Sequence, residues 1–395
     1  MHRPDARARV AEPLPPSTRG GIGVRRAITP GAAALAIAAG GWASGCSDCG
    51  RAPRAEPHDD AGVPASAAPS ASAAPSASAA PSAGASPSAD APAASVIARG
   101  LGKPRSLVVD ATHVYFADAL ARAIGRVPRD GGDHEDLATG RETPARLAFS
   151  GNELVWLDGG GPLPIAPDAG AVARGVFACS PAKVPCSVRT VRAGSFVTLV
   201  AAGGELFVAE NLDSSHFAVS RVTDKALTRI GEHDGHAMAM TADRSNVYVS
   251  TSSTLDRAKV VTLPIAKGAA REITLRGPGL NNIDDDGDKL LGTGMIDRRF
   301  GLFLLAKSGD DVAFAAPDVA PGLYARRGDV IYFVGGADRS LRKVPRAGGT
   351  VTVVGRLTGI DEPSGLAITD GWAYVGGKAA GDAGSTGTIV RLPLP

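Results

Sequence analysis

A phrase of strand, turn and strand returns about every 42 residues along most of this chain, the second strand of each copy is apolar, and Gly and Pro are abundant. Together these observations predict an all-β protein, a single β-propeller of seven four-stranded blades, with six blades as the alternative. With 395 residues, 44% of them hydrophobic, the chain can bury a sizeable core, but 50 Gly and 29 Pro are too many for a helical protein. The formal charge is +2, yet residues 1–45 carry six Arg against Asp5 and Glu12, so the remainder is at −2 and is not built for nucleic acid.

Residues 1–45 have the order of a secretory signal. A basic stretch ending in Arg25 and Arg26 precedes the apolar run Ala32 to Ala39, and small residues lead on to Cys46. The run is too short to span a bilayer comfortably. Ala43-Ser44-Gly45-Cys46 resembles a bacterial lipobox, in which the cysteine receives diacylglycerol and becomes the mature N-terminus, although Ala43 stands where Leu is usual. Lipidation of Cys46 is the expectation; ordinary cleavage, with Cys46 free or paired, is the alternative. Arg25-Arg26 followed by Ile28 also fits a twin-arginine signal, without its preceding Ser or Thr.

Residues 46–94 are largely Ala, Pro and Ser, with Pro69, Pro75, Pro81 and Pro87 six residues apart. Such a segment has nothing to bury and cannot offset its ordering entropy, so it reads as a disordered, partly polyproline-II stalk. At ~3.1 Å per residue, the roughly 45 residues from Arg51 to about Ala94 reach at most roughly 140 Å. Leader, anchor and stalk predict an exported protein, periplasmic or at the cell surface, that meets a membrane through its lipid only.

From residue 95 the repeat can be followed by the apolar residue just before an aromatic in the second strand. These anchors are Val114, Val155, Leu206, Val247, Ile331 and Ala373, with a degenerate copy at Leu290. Their spacings are 41, 51, 41, 43, 41 and 42 residues, one period with one insertion. Each unit has an apolar strand ("LVVD", "LAFS", "LAIT"), an Asp/Asn/Gly turn, the aromatic strand, a third strand closing on Val-Pro or Leu-Pro, and usually a more polar fourth. Strands that are apolar at every position predict sheets covered on both faces. The last unit stops after its third strand, while "SVIARG", Ser95 to Gly100, resembles a fourth strand, so the N-terminal piece is expected to complete the last blade.

"LVVDATHVYFAD" followed by "IGRVPRDGG" resembles the repeat of bacterial extracytoplasmic propellers of the YWTD (low-density-lipoprotein-receptor class B) and NHL groups, whose second strand carries a Tyr-Trp-Thr-Asp-like sequence. The other units drift, as "LVWLD", "VYVST" and "AYVGG". The resemblance covers Ser95 to Pro395 and implies the fold while leaving the activity open, because such propellers serve many functions. They include metal-dependent lactonases and lyases, whose metal ligands cannot be placed on this sequence.

Asn282, Asp284, Asp286 and Gly287 follow the spacing by which a tight loop wraps oxygens around Ca²⁺, but Thr293 stands where the closing Glu is needed, and Asp-Gly is also ordinary hairpin chemistry. No cofactor is expected, with Ca²⁺ at this run as the alternative. Glu232, His233, Asp234 and His236 cluster at a junction between units, a weaker metal or acid/base candidate. Cys179 and Cys186 bracket a short segment inside the insertion and are expected to form a disulfide; Cys49 has no obvious partner. P-loop, GxGxxG, GxSxG and HExxH motifs are absent. The expectation is a membrane-tethered binding propeller that presents one face to an unknown protein, glycan or small molecule. The alternative is a metal-dependent lactonase- or lyase-like enzyme with a funnel site. Whether His236, Asn281 and Glu362 converge on one central pocket separates the two.

Overall fold

The computed structural model describes residues 93–159, 174–223, 226–252, 257–309, 311–381 and 386–395. The expected leader, Cys46 and nearly all of the Ala/Pro/Ser segment lie outside them. The described strands are β1 (Ser95–Leu101), then β2 (Pro104–Val109), β3 (His113–Asp118), β4 (Ala123–Pro128) and β5 (Glu135–Ala138) in the first blade. The second has β6 (Ala145–Ser150), β7 (Glu153–Asp158), β8 (Gly175–Cys179) and β9 (Arg189–Ala193); the third has β10 (Thr198–Ala202), β11 (Glu205–Asn211), β12 (His216–Val222) and β13 (Leu227–Asp234). The fourth is β14 (His236–Ala242), β15 (Asn246–Ser252), β16 (Lys259–Pro264) and β17 (Arg271–Thr274); the fifth is β18 (Gly279–Asp286), β19 (Lys289–Ile296), β20 (Arg299–Ala306) and β21 (Val312–Pro317). The sixth comprises β22 (Val319–Arg327), β23 (Val330–Gly335), β24 (Ser340–Pro345) and β25 (Thr352–Arg356), and the seventh begins with β26 (Ile360–Ile368), β27 (Trp372–Ala379) and β28 (Gly387–Pro393).

These form seven antiparallel sheets of four strands, as the repeat predicts. The seventh has the order β1-β28-β27-β26, so the N-terminal strand supplies its outer edge. Ser95 lies opposite Arg391 and Leu101 opposite Gly387. The degenerate fifth unit is a full blade: its second strand lacks an aromatic, but Leu290 with Phe303 of the third strand is buried against the fourth blade and Leu291 against the sixth. In the second blade the register corrects the repeat by one residue. Phe149 faces Leu154 as Val109 faces Val114, so Leu154 rather than Val155 is the equivalent anchor.

The uninterrupted apolar second strands now have a cause. Side chains alternate across a strand, and in each blade the two faces pack on different neighbours. In β7, Leu154 and Trp156 join a cluster with the first blade, while Val155 and Leu157 join one with the third. In β23, Ile331 and Phe333 face the fifth blade, and Tyr332 and Val334 face the seventh. One apolar cluster lies at each of the seven blade junctions, among the described residues.

The closing junction combines this packing with hydrogen bonds. Ile97, Ala98 and Leu101 of β1 are buried with Leu107, Phe116 and Tyr374. Thr388 Oγ1 donates to Ala98 O (2.7 Å), and Arg129 Nε donates to the Tyr374 hydroxyl (2.9 Å). Ile97→Ala should cost about 2 to 4 kcal/mol, seen as a lower urea midpoint with unchanged slope; a midpoint equal to wild type would mean that β1 does not latch the ring.

Cys179 and Cys186 are bonded, with Cα atoms 5.9 Å apart. Both are buried in the cluster between the first two blades, and the Cys186 N–H donates to Leu137 O of β5 (2.9 Å). The bond thus pins a second-blade loop onto the first blade. Because it closes so short a loop, its reduction should cost only about 2 to 3 kcal/mol. A single cooperative melt at lower temperature is expected in reductant, with the far-ultraviolet circular dichroism retained below it.

Candidate functional site in the central channel

The inner strands β2, β6, β10, β14, β18, β22 and β26 surround a cavity of about 710 Å³ on the ring axis. Their inward faces have no sheet opposite, so their side chains are free to be polar. Six of the seven carry a register shift against the second strand of their blade near its N-terminal end, and β10 pairs regularly. Such bulges re-aim side chains. At two of them a residue other than Gly adopts left-handed backbone, Ser106 at φ 52° and Arg146 at φ 54°. Gly322, at φ 72°, meets the need differently: a Cβ there would lie 2.8 Å from Asn282 Nδ2, so this Gly makes room for the amide.

The channel is two-sided. The first, second, fifth, sixth and seventh blades contribute Arg105, Arg146, Asn281, Asn282, Asp284, Tyr324 and Ser364, whereas the third and fourth contribute Leu199, Val200, Met238 and Met240. Several polar groups are already engaged. Ser364 Oγ donates to Pro104 O (2.7 Å), Arg105 Nε and Nη2 reach Pro144 O (3.4 and 3.3 Å), and Ser106 Oγ accepts the Arg146 N–H (3.0 Å). The Tyr324 hydroxyl donates to Leu291 O (3.2 Å) and lies within reach of the Asp284 carboxyl.

Electrostatics follow from this placement. The Asp284 side chain is exposed to the channel, but the inner strands crowd around it, and this desolvation raises its pKa, although Tyr324 and the charge of Arg146 act the other way. Burial, then the neighbouring Asp284, pushes the Tyr324 phenol well above its usual range. The Arg146 guanidinium is held down by burial, partly offset by Asp284, and Arg105 by burial and then by Arg146 itself. Both arginines remain cationic at neutral pH.

Of the residues singled out from sequence, Asn281, Asn282 and Asp284 reach the channel. Asn282, Asp284 and Asp286 sit on the extended strand β18 rather than in a loop closing on a point, and Asp286 turns away to pair with Arg326 (2.6 Å) and Arg346 (2.5 Å). His236 and Glu362 are not in the channel wall: Asn211 Nδ2 donates to His236 Nε2 (2.9 Å), and Glu362 is 3.7 Å from Lys378 Nζ. The histidine-rich cluster disperses. His233 pairs with Glu272 (3.0 Å), Asp234 with His216 (3.5 Å) and Glu232 with Arg229. Among the described residues no group of three His, Cys, Asp or Glu side chains is placed to share a metal ion. Arg105, Arg146, Tyr324 and Ser364 were not singled out. Their signal is positional: "PRSL", "PARL", "PGLY" and "PSGL" are equivalent starts of inner strands, and comparing them shows which residues follow the proline.

The aspartate ending the YWTD-like strand serves the fold. Asp118, buried, accepts from the N–H groups of Gly102 (2.6 Å), Lys103 (2.8 Å) and Ala121 (2.9 Å), and Asp158 accepts from Glu142 (2.8 Å) and Thr143 (2.9 Å). Each ties the segment leading into its blade to the second strand.

In solved structures, the chain is similar to the computationally designed protein Ika8, with TM-score 0.51, 11% identity, 76% of this chain and 98% of that one covered. It is also similar to a Mycobacterium tuberculosis puromycin-hydrolyzing peptidase (TM-score 0.49, 16% identity, 74% of this chain), spanning 52% of that protein, and to YCF48 bound to D1 peptide (TM-score 0.48, 12% identity, 78% and 99% covered). The likeness to Ika8 is one of fold. No protein-family model matches the chain, and no curated protein matches it in sequence.

Outside the channel, the acidic run is held by Lys307, whose Nζ bridges Asp243 (2.6 Å) and Asp285 (2.7 Å) and so joins the fourth and fifth blades. Burial acts to raise the Asp243 pKa, but bonds from Lys307, the Ser245 and Asn246 N–H groups and the Tyr248 hydroxyl outweigh it and bring it to about 2. An unfolded Asp titrates near ~3.9, so this network contributes stability that is complete above about pH 4 and is lost as pH falls toward 2. Asp243→Asn should therefore lower the urea midpoint at pH 7 and make little difference at pH 2. An equal difference at both pH values would show that the network's charge does not contribute.

Proposed function

We propose that this protein is an exported binding propeller, tethered through Cys46 and the Ala/Pro/Ser segment, which takes a small molecule in its central channel. The observation that carries this reading is the channel itself. A volume of about 710 Å³ suits a small ligand, and the wall is mixed, an apolar arc beside polar groups that converge from five blades. Its polar groups are guanidinium, amide and hydroxyl donors and the Asp284 carboxyl, and the donors can hold a ligand without requiring a reaction. The Cys179–Cys186 bond suits an oxidising compartment, which supports export, as does the YWTD- and NHL-like repeat. A tether raises the local concentration of a modest binder at a membrane.

A funnel-site enzyme is the competing reading, and Asp284 beside Tyr324 favours it, since a carboxyl of raised pKa in a cleft is a candidate acid or base.

Expressed in a bacterial host with its own leader, wild type should fractionate with membranes and take up labelled fatty acid. Cys46→Ser should be soluble and unlabelled with an unchanged melting temperature. If wild type and variant were both soluble, the tether would be refuted. Turnover of a lactone or ester panel that disappears in Asp284→Asn would transfer the assignment to the enzyme reading.

A further inference from the structure

The charged residues lining the channel are Arg105, Arg146 and Asp284, two cations against one carboxyl whose ionisation burial opposes. They are not equivalent. Arg105 is engaged by the Pro144 carbonyl. The Arg146 guanidinium has no hydrogen-bond partner and no carboxylate within 4.0 Å among the described residues; its electrostatic neighbours, Asp284 and Tyr324, belong to the fifth and sixth blades across the channel. The Asn281 and Asn282 side chains, on the same strand as Asp284, also have no hydrogen-bond partner among the described residues. A half-buried guanidinium with no partner among the described residues, carried on left-handed backbone, is a cost that a purely structural position would not retain. One free guanidinium, facing amide donors and an apolar arc, matches a planar monoanion with a hydrocarbon body more closely than a dianion, which the nearby Asp284 would oppose.

We infer that the channel binds a small organic carboxylate, its anionic end on Arg146 with the Asn281 and Asn282 amides and its apolar body against Leu199, Val200, Met238 and Met240. This rests on the binding reading above and names its ligand class. Arg146 is the anchor, Arg105 raises the local potential without touching the ligand, and Asp284 limits the charge that the site accepts.

The test is calorimetric titration and thermal melting of the full chain with octanoate, 1-octanol and inorganic phosphate at neutral pH. Octanoate should bind and raise the melting temperature, while the alcohol and phosphate bind roughly tenfold or more weakly, the difference expected for one charge-assisted contact. Arg146→Met should lose octanoate binding by a similar factor, yet without ligand melt no lower than wild type, because it removes a half-buried charge that has no partner among the described residues. Asp284→Asn should bind octanoate at least as tightly as wild type. Equal binding of octanoate and octanol would overturn the carboxylate assignment and leave a binding channel, as would Arg146→Met binding octanoate like wild type. Tighter binding of phosphate would replace the class with a dianion. No binding of any probe, with a lower ligand-free melting temperature in Arg146→Met, would make Arg146 structural and sink the inference. Failure of the underlying binding reading has a different signature, the Asp284-dependent turnover described above.

Discussion

Among the described residues neighbouring blades share no ladder of backbone hydrogen bonds, so the ring is held by side-chain packing at its seven junctions and by the closure of the last upon the first. That constraint governs nearly every apolar residue. A second strand with alternating polarity would leave one junction unpacked, which is why β3, β7, β15, β23 and β27 are buried on both faces. It also explains the position of β1. Without it, the seventh sheet would present β28 as an open edge, and Ile97, Ala98 and Leu101 would be missing from the junction with the first blade.

The same arrangement frees the inner strands. Their outward residues pack between blades, but their inward residues face a cavity too wide for apolar side chains to fill from all sides, so polarity is tolerated there. The bulges use that freedom. Regular pairing of β6 would keep Arg146 in the ladder, whereas the shift between Ala145 and Ala148 lets the residue adopt left-handed backbone and put its guanidinium into the channel. Gly322 yields volume to Asn282 from the neighbouring blade, so the polar wall is assembled across blades rather than within one.

The acidic run shows how one short segment can be divided among tasks. On β18, Asp284 faces the channel, Asp285 meets Lys307 at the junction with the fourth blade, and Asp286 is buried against Arg326 and Arg346 of the sixth. Consecutive residues of a strand point to opposite faces, and alternate ones stand roughly 6.6 Å apart, so three carboxylates that look like one cluster in sequence serve three surroundings.

Period, turn chemistry and apolar patterning are local properties that the blades reuse, and from them the sequence determined the seven-bladed ring, the N-terminal strand in the last blade and the Cys179–Cys186 bond. The leader and anchor expected from the sequence, and nearly all of the expected stalk, lie outside the described residues. Only the tertiary structure decided which side chains meet in the channel. Arg146, Asn281, Tyr324 and Ser364 come from four blades; Asn281 can be singled out from sequence, but nothing in its own repeat says which side chains it will meet, and Arg146 and Ser364 lie inside register shifts that the repeat does not show. Convergence of that kind depends on closing a ring some 300 residues around, and no window of the sequence contains it.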